Sequence, residues 1–490
     1  MGVHYLFPPP EHKHVLGPLT GGQVTILAGS ALLAIVAVTR PHAGAAGAAV
    51  TVALLAAVAA GTLIPVRGRV VTEWLPVAFG YGWARLRGHG DFRSPPRSGE
   101  PAGGLRLPAG VGAVEFLSHP SDGGELGVAA DRAAGLYTAA LELAGPSFLL
   151  EDTATQEQLL ARWGVLLDRL AQSGSRVHRL QWVVRSAPDD PGALRDYARR
   201  ARSHSLDEAA AVVRSYLALV EDCAAGSVRH QTLVVVQIAA RGSTEAIRRA
   251  GGGDHGACTV LAGAVQSVAD ALVDLGAQVR RPLSARAYQG MIRTAYDPQA
   301  RAELDLLDRA GPRRGWGSDA PWPLATEERW GYYRTADRAW HRSYNLVLPL
   351  SELPADWFAP MLLVDDGICR TVSMTLRPVP RQQANREVGR ALTRLRAEEL
   401  RKDRLGQLPT AHDDKQEAAA RQRMRELADG HAELVYAATA TVTAPDLAAL
   451  EQACRSVDQV AGLALCELRL LEGQQARGFA WTLPLARGLD

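Results

Sequence analysis

The run QTLVVVQIAA, from Gln231 to Ala240, reads as a β-strand, because its valines and isoleucine are β-branched residues that favour a pleated chain over a helix. Around it the pattern alternates. A helical stretch lies near Leu206–Cys223 on one side and another covers Cys258–Leu275 on the other. Further upstream VHRLQWVVRS (Val177–Ser186) and LYTAALELAG (Leu136–Gly145) are again β-like, and Thr153–Gln172 between them has helical periodicity with a cap at Asp152 or Thr153. Downstream lies a Trp-rich stretch, 301–341, of weak periodicity, which reads as a linker or wrapping segment. Beyond it come SYNLVLPL (Ser343–Leu350), a short helix near Asp356–Leu363, CRTVSMTLRPVP (Cys369–Pro380) and a charged helix pair, Gln382–Arg404 with Asp414–Ala428. ELVYAATATV (Glu433–Val442), a helix over Pro445–Val460 and CELRLLEG (Cys466–Gly473) complete the series. Strands returning around helices in this order predict an α+β chain with two ferredoxin-like or mixed-sheet α/β units, 105–300 and 342–490. No sequence repeat strong enough to establish a duplication joins the two.

Toward the N-terminus the character changes. No residue between His14 and Arg40 is charged, and LGPLTGGQVTILAGSALLAIVAVT fills that interval. As a helix, such a run is roughly 37 Å long at 1.5 Å per residue, more than the roughly 30 Å hydrocarbon core of a bilayer. After Arg40, Pro41 and His42 a second uncharged run, AGAAGAAVTVALLAAVAAGTLIPV, continues to Val66. So short a turn allows only an antiparallel transmembrane hairpin, 15–66, with the tail 1–14 and the body on one side. A cleaved signal peptide does not explain the second run, and a soluble helix pair would carry a polar face. Ala45, Ala49, Ala53, Ala57 and Gly61 recur every four residues and offer a smooth face for helix packing.

The segment 67–104 is basic, then rich in Pro, Gly and Ser. Arg67, Arg69, Arg85 and Arg87, interleaved with Trp74 and Trp83, suit the membrane interface, and the arginine excess after the second run places the tail and body in the cytoplasm. The expected location is the bacterial cytoplasmic membrane, in two passes, with lipid as one partner. A formal net charge of +2 makes no case for nucleic acid, and direct sequence-specific binding of it is not expected. Five cysteines without a CxxC pair read as reduced, mostly buried thiols.

Catalytic constellations are missing. There is no Gly-Lys dipeptide and hence no phosphate-cradling P-loop, no HExxH and no GxSxG. Gly251, Gly253 and Gly256 match GxGxxG spacing, but about ten residues separate them from the preceding strand, so a turn is the better reading. The Asp189–Asp190, Asp365–Asp366 and Asp413–Asp414 pairs stand where Asp caps helices or forms turns. The chain therefore reads as a non-enzyme without cofactor or metal. Candidate partner-binding residues are Arg390, Arg394, Arg401 and Arg404 on the charged helix, whose blander reading is a solvated face, and Trp316, Trp322 and Trp330, which more often fill joints between domains.

Two groups of motifs carry a resemblance. RGRVVTEWLPVAFGYGWARLRG and DFRSPP, following the hairpin, are similar to PrgI-like inner-membrane subunits of conjugative type IV secretion in their long actinobacterial form. AYDPQA, WPLATEERWGYYRTADRAWHRSYNL, RTVSMTLRPVPRQQANREVGRALTRLRAEELRKDRLGQLP, AELVYAATATVTAPDLAALE and ARGFAWTLPLARG resemble the N-terminal domain of TraC/TrbE-type assembly ATPases, without the motor domain. The resemblance implies a DNA-transfer scaffold docking a separate ATPase and other inner-membrane secretion subunits within an oligomeric complex. A competing resemblance is to the EccE-type membrane subunit of type VII secretion, which also has two N-terminal spans and a cytosolic α/β region. From a different class, a membrane-anchored enzyme with a site of scattered residues is the remaining alternative.

Overall fold

A computed structural model describes residues 69–88, 90–94, 107–121, 124–144, 151–172, 175–188, 197–201, 210–225, 228–301, 303–304, 321–336, 339–348, 353–363, 367–379, 381–404, 411–429 and 433–489, with short pieces between 14 and 66. Most of the expected hairpin, 15–66, lies outside the described residues. His14–Leu16 pairs with Leu19–Thr20, and Pro65–Val66 with Arg69–Val70, as short antiparallel ladders. A helix therefore does not begin at Val15. Within the described residues one helix, Gly253–Asp274, has the length and hydropathy to cross a membrane, but it is a core helix of the sheet body.

The chain divides into two compact units, 89–385 with 426–490 (and residues 1–6), and 7–88 with 386–425. Helix α1 (Val71–Leu86) belongs to the second. In the first unit thirteen strands form one sheet, every pairing antiparallel. In order these are β1 (Asp91–Arg93), β2 (Val114–Ser121), β3 (Gly124–Asp131), β4 (Leu136–Ala144), helix α2 (Thr153–Leu170), β5 (Val177–Pro188), helix α3 (Ala211–Ala225), β6 (Val228–Ala239), helices α4 (Ala240–Arg249) and α5 (Gly253–Asp274), β7 (Gln278–Pro282) and helix α6 (Ala285–Tyr296). Then follow β8 (Ala325–Glu328), β9 (Tyr333–Thr335), β10 (Ala339–Val347), helix α7 (Ala359–Leu362), β11 (Cys369–Val379), helices α8 (Arg381–Arg404) and α9 (Ala411–Asp429), most of whose residues belong to the second unit, β12 (Glu433–Ala444), helix α10 (Leu447–Leu463), β13 (Glu467–Leu470) and helix α11 (Gln475–Thr482). Two strands of the sheet, β8 and β9, come from the stretch read as a linker; their alternation is too short to register as periodicity.

The sheet is built twice over. In the first half the spatial order is β7–β4–β6–β5, and in the second β13–β10–β12–β11. Each half thus places its fourth strand beside its first, then its third, then its second, which splits both β-α-β connections. The likeness reaches the details. The start of β4 pairs with β3 and its end with β7; the start of β10 pairs with β9 and its end with β13. The halves meet where β5 lies antiparallel to β11, seven pairs from Ser186–Arg370 to Leu180–Leu376, with Val183 opposite Ser373 at the middle.

Strands near that seam are buried on both faces, as β6 shows. Leu233 and Val235 face a core with Tyr288, Tyr296, Trp322 and Phe479, while Val234, Val236 and Ile238 face α5. The period of two makes this division automatic. A helix follows the fourth strand in each half, α6 and α11, and both lie in the first of these cores. Each is followed by chain that reaches the other half. The carbonyl of Tyr296 accepts from the Thr335 hydroxyl, 2.9 Å away, whereas the tail after α11 supplies the Leu485 carbonyl to Gln237 Nε2 on β6 at 3.2 Å.

Candidate membrane and assembly surfaces

Where α5 begins, the structure settles the glycine motif. Gly251 and Gly253 have φ of +103° and +57°, open to glycine at little cost, and turn the chain from α4 into α5. A Cβ on Gly256 would lie 2.3 Å from the Ile247 carbonyl oxygen, so the third glycine permits close helix packing. The α5 N-terminus already holds an anion: Asp254 accepts from Arg132 Nε at 2.8 Å and from the Tyr137 hydroxyl at 2.7 Å. The Arg132 bond, foremost among the causes, holds the Asp254 carboxyl below its usual range.

Chemistry is equally sparse elsewhere among the described residues. No group of three or more His, Cys, Asp or Glu could hold a metal. A groove of about 450 Å³ is lined by Gln299, Gln452, Ser456, Thr443, Cys369 and small or apolar residues, none of them charged. Burial pushes the Cys369 thiol up, away from the reactive thiolate. His341, fully buried on β10, has Nδ1 2.9 Å from the Thr443 hydroxyl, and its ring packs tilted against Phe479, centroids 4.5 Å apart. Burial pushes it down to about 3, so it is a neutral core residue at ordinary pH.

The most polar interior belongs to the last residues of the chain. Gln181 on β5 donates to Ser373 and to the carbonyls of Trp481 and Leu483, and accepts from the Ala486 N–H. Arg179 donates to the carbonyls of Ala486 and Leu489, and the Thr375 hydroxyl to that of Arg487. Arg487 meets Asp131 at 2.5 Å and the Val111 carbonyl at 3.0 Å, both out of water. These side chains satisfy a tail that lies across the seam without belonging to the sheet. The motif ARGFAWTLPLARG is therefore internal packing.

The tryptophan candidates divide. Trp322 is 4% exposed, its ring among Tyr296 and Phe116, which corrects its assignment to a partner surface: an indole that large gains more from the core than it could offer a partner. Trp330 is half-buried, and its carbonyl accepts from the Gly473 N–H at 2.8 Å. Trp316 lies outside the described residues. Arg390 and Arg404 are exposed on α8, as a docking or a solvated face requires; the side chains of Arg394 and Arg401, on the same helix, are not described.

Among the interface candidates, α1 adds Leu75, Phe79 and Leu86 to the Trp83 that the sequence had singled out. Leu75, Phe79, Trp83 and Leu86 are 55%, 71%, 48% and 86% exposed. Their spacings of four, four and three keep them on one side of a helix with 3.6 residues per turn. The signal was legible as that spacing. Trp74, Val77, Tyr81 and Ala84 are half-buried, and Arg85 and Arg87 are exposed at the C-terminal end. The Phe79 and Trp83 rings stack at 5.9 Å, with the Arg87 guanidinium 4.3 Å from the indole centroid. Arg69 lies in the short ladder before α1, and Arg67 is outside the described residues.

With this geometry in hand, comparison with known proteins gives one family. Residues 227–346 match the model described as "Putative type VII ESX secretion system translocon, EccE". The matched segment is about a quarter of the chain and runs from β6 through α6 to β10, so it joins the end of the first half to the start of the second. No curated protein matches the chain. The match supports involvement in a secretion-system membrane complex, and it falls on the type VII resemblance; nothing that matched is a PrgI-like subunit or a TraC/TrbE-type ATPase.

Proposed function

We propose that this chain is a non-enzymatic, membrane-anchored scaffold subunit of a type VII-like secretion translocon. The match over 227–346 carries the proposal. It covers the chain that connects the two halves, from β6 through α6 to β10, whereas the seam strands β5 and β11 lie outside it. In this reading residues 15–66 form a two-pass anchor in the bacterial cytoplasmic membrane, with both ends and the body in the cytoplasm. Two ferredoxin-like halves give a rigid platform, and the exposed arginines of α8 meet carboxylates on the complex's ATPase.

Purification of the full chain in mild detergent, followed by mass spectrometry, tests this. The expected companions are the core ATPase and membrane subunits of a type VII apparatus. Recovery of a conjugation ATPase and its channel subunits in their place would return the chain to type IV secretion. ATP should leave the melting temperature unchanged and should not be hydrolysed, because a ligand that binds only the folded state raises that temperature; a saturable, magnesium-dependent rise would reveal a nucleotide site, and release of phosphate an enzyme.

A further inference from the structure

We infer that α1 lies in the plane of the membrane surface and docks on anionic lipid, through the stripe Leu75, Phe79, Trp83 and Leu86 and the guanidinium groups of Arg85 and Arg87. This rests on the membrane reading above and adds a lipid class to it. One side of α1 is half-buried, at Trp74, Val77, Tyr81 and Ala84, while the other presents four large apolar side chains to solvent. Contiguous exposure of that kind marks a surface that something apolar covers. Its flanks identify the cover. The uncharged run ends at Val66 and α1 begins at Val71, and five residues span at most about 18 Å. A helix tethered so closely to the exit of a span stays within reach of the headgroup layer.

Charge selects among lipids. From Arg67 to Arg87 there are four arginines and one acid, Glu73, so the segment complements a negative leaflet. The Trp83 indole, stacked on Phe79 with Arg87 over its face, joins an apolar body to a cation at one depth, as a residue at the boundary of hydrocarbon and headgroup requires.

The test uses the full chain reconstituted in vesicles of phosphatidylcholine, with or without phosphatidylglycerol, whose acyl chains carry bromine. Bromine quenches nearby indole fluorescence, and subtracting a Trp83→Phe variant isolates the Trp83 signal. We expect quenching of Trp83 about twofold stronger in the anionic vesicles, returning to the neutral level in an Arg85→Glu/Arg87→Glu variant that still floats with the vesicles. Equal quenching in both lipids would overturn the anionic selectivity. Unquenched Trp83 in protein that floats would overturn the docking, and point to a protein cover. Protein that does not float with either vesicle would overturn the membrane reading itself.

Discussion

The tail after α11 and the helix α1 treat their side chains in opposite ways. The tail takes Arg487 out of water and draws Arg179 in with it, matching each to a carboxylate or to backbone carbonyls. Helix α1 leaves Leu, Phe and Trp in the open, with cations at its end. A buried charge is tolerated where an opposite charge meets it, as Asp131 meets Arg487, so the tail is tied to the sheet it crosses. An exposed apolar stripe contributes little to the fold, so α1 is arranged for something beyond it.

That contrast can be broken first at Arg487. Replacing it by Ala leaves Asp131 buried and unpaired, and chemical unfolding should record a loss of about 3–5 kcal/mol, whereas Arg487→Met with Asp131→Leu should lose much less. Phe479→Ala, in the core that α11 shares with Tyr296, Tyr333 and His341, should cost about 3–5 kcal/mol by the same measurement. A silent Arg487→Ala would mean that the tail does not hold the sheet it crosses, and a silent Phe479→Ala that α11 is not part of that core.

A smaller effect comes from His341. Its folded state refuses a proton down to about pH 3, whereas an unfolded histidine takes one near pH 6.5. Stability is therefore complete above about pH 6.5 and falls as pH drops below it, by about 1.4 kcal/mol per pH unit for one proton. His119, lowered by burial and then by His255, adds in the same direction. His341→Gln, compared with wild type in the same buffers, should show the shallower slope between pH 6 and pH 4.5 (on the order of one proton fewer). Smallest of all should be the change in unfolding stability from Phe79→Ser or Leu86→Ser, within about 0.5 kcal/mol, because neither packs in the interior. A loss near that of Arg487→Ala would place the stripe inside the fold.

The elements of the sheet were legible where patterns are long. Strands at Leu136, Val177, Gln231, Cys369 and Glu433, and the Asp152 cap whose side chain accepts from the Thr155 N–H, lie where β-branching and helical period put them. Less visible were β2, β3 and α6. HPSDGG breaks the alternation of the first pair, and α6 mixes Arg and Gln with its buried Tyr288, Met291 and Ile292. Two α/β units could be read, but not the shared strand order or the single continuous sheet, because these are fixed by pairings such as Val228 with Pro188 and Pro282 with Leu141, far apart in the chain, and the two halves share no string. Trp322 misled for a related reason: composition records that tryptophan is present, while its burial depends on Tyr296, Phe116 and α11 arriving from elsewhere. The stripe on α1 was in the sequence throughout, but the arginines beside it drew the reading to charge.

Anchorage in a membrane underlies both the proposed scaffold role and the docking of α1. Extraction of membranes from cells making the full-length protein, first with high salt and then at alkaline pH, measures this directly. An anchored chain stays in the pellet through both treatments and leaves it only with detergent. Full-length protein in the alkaline supernatant would contradict that anchorage, since peripheral contacts by α1 and its arginines are released there and an embedded hairpin is not.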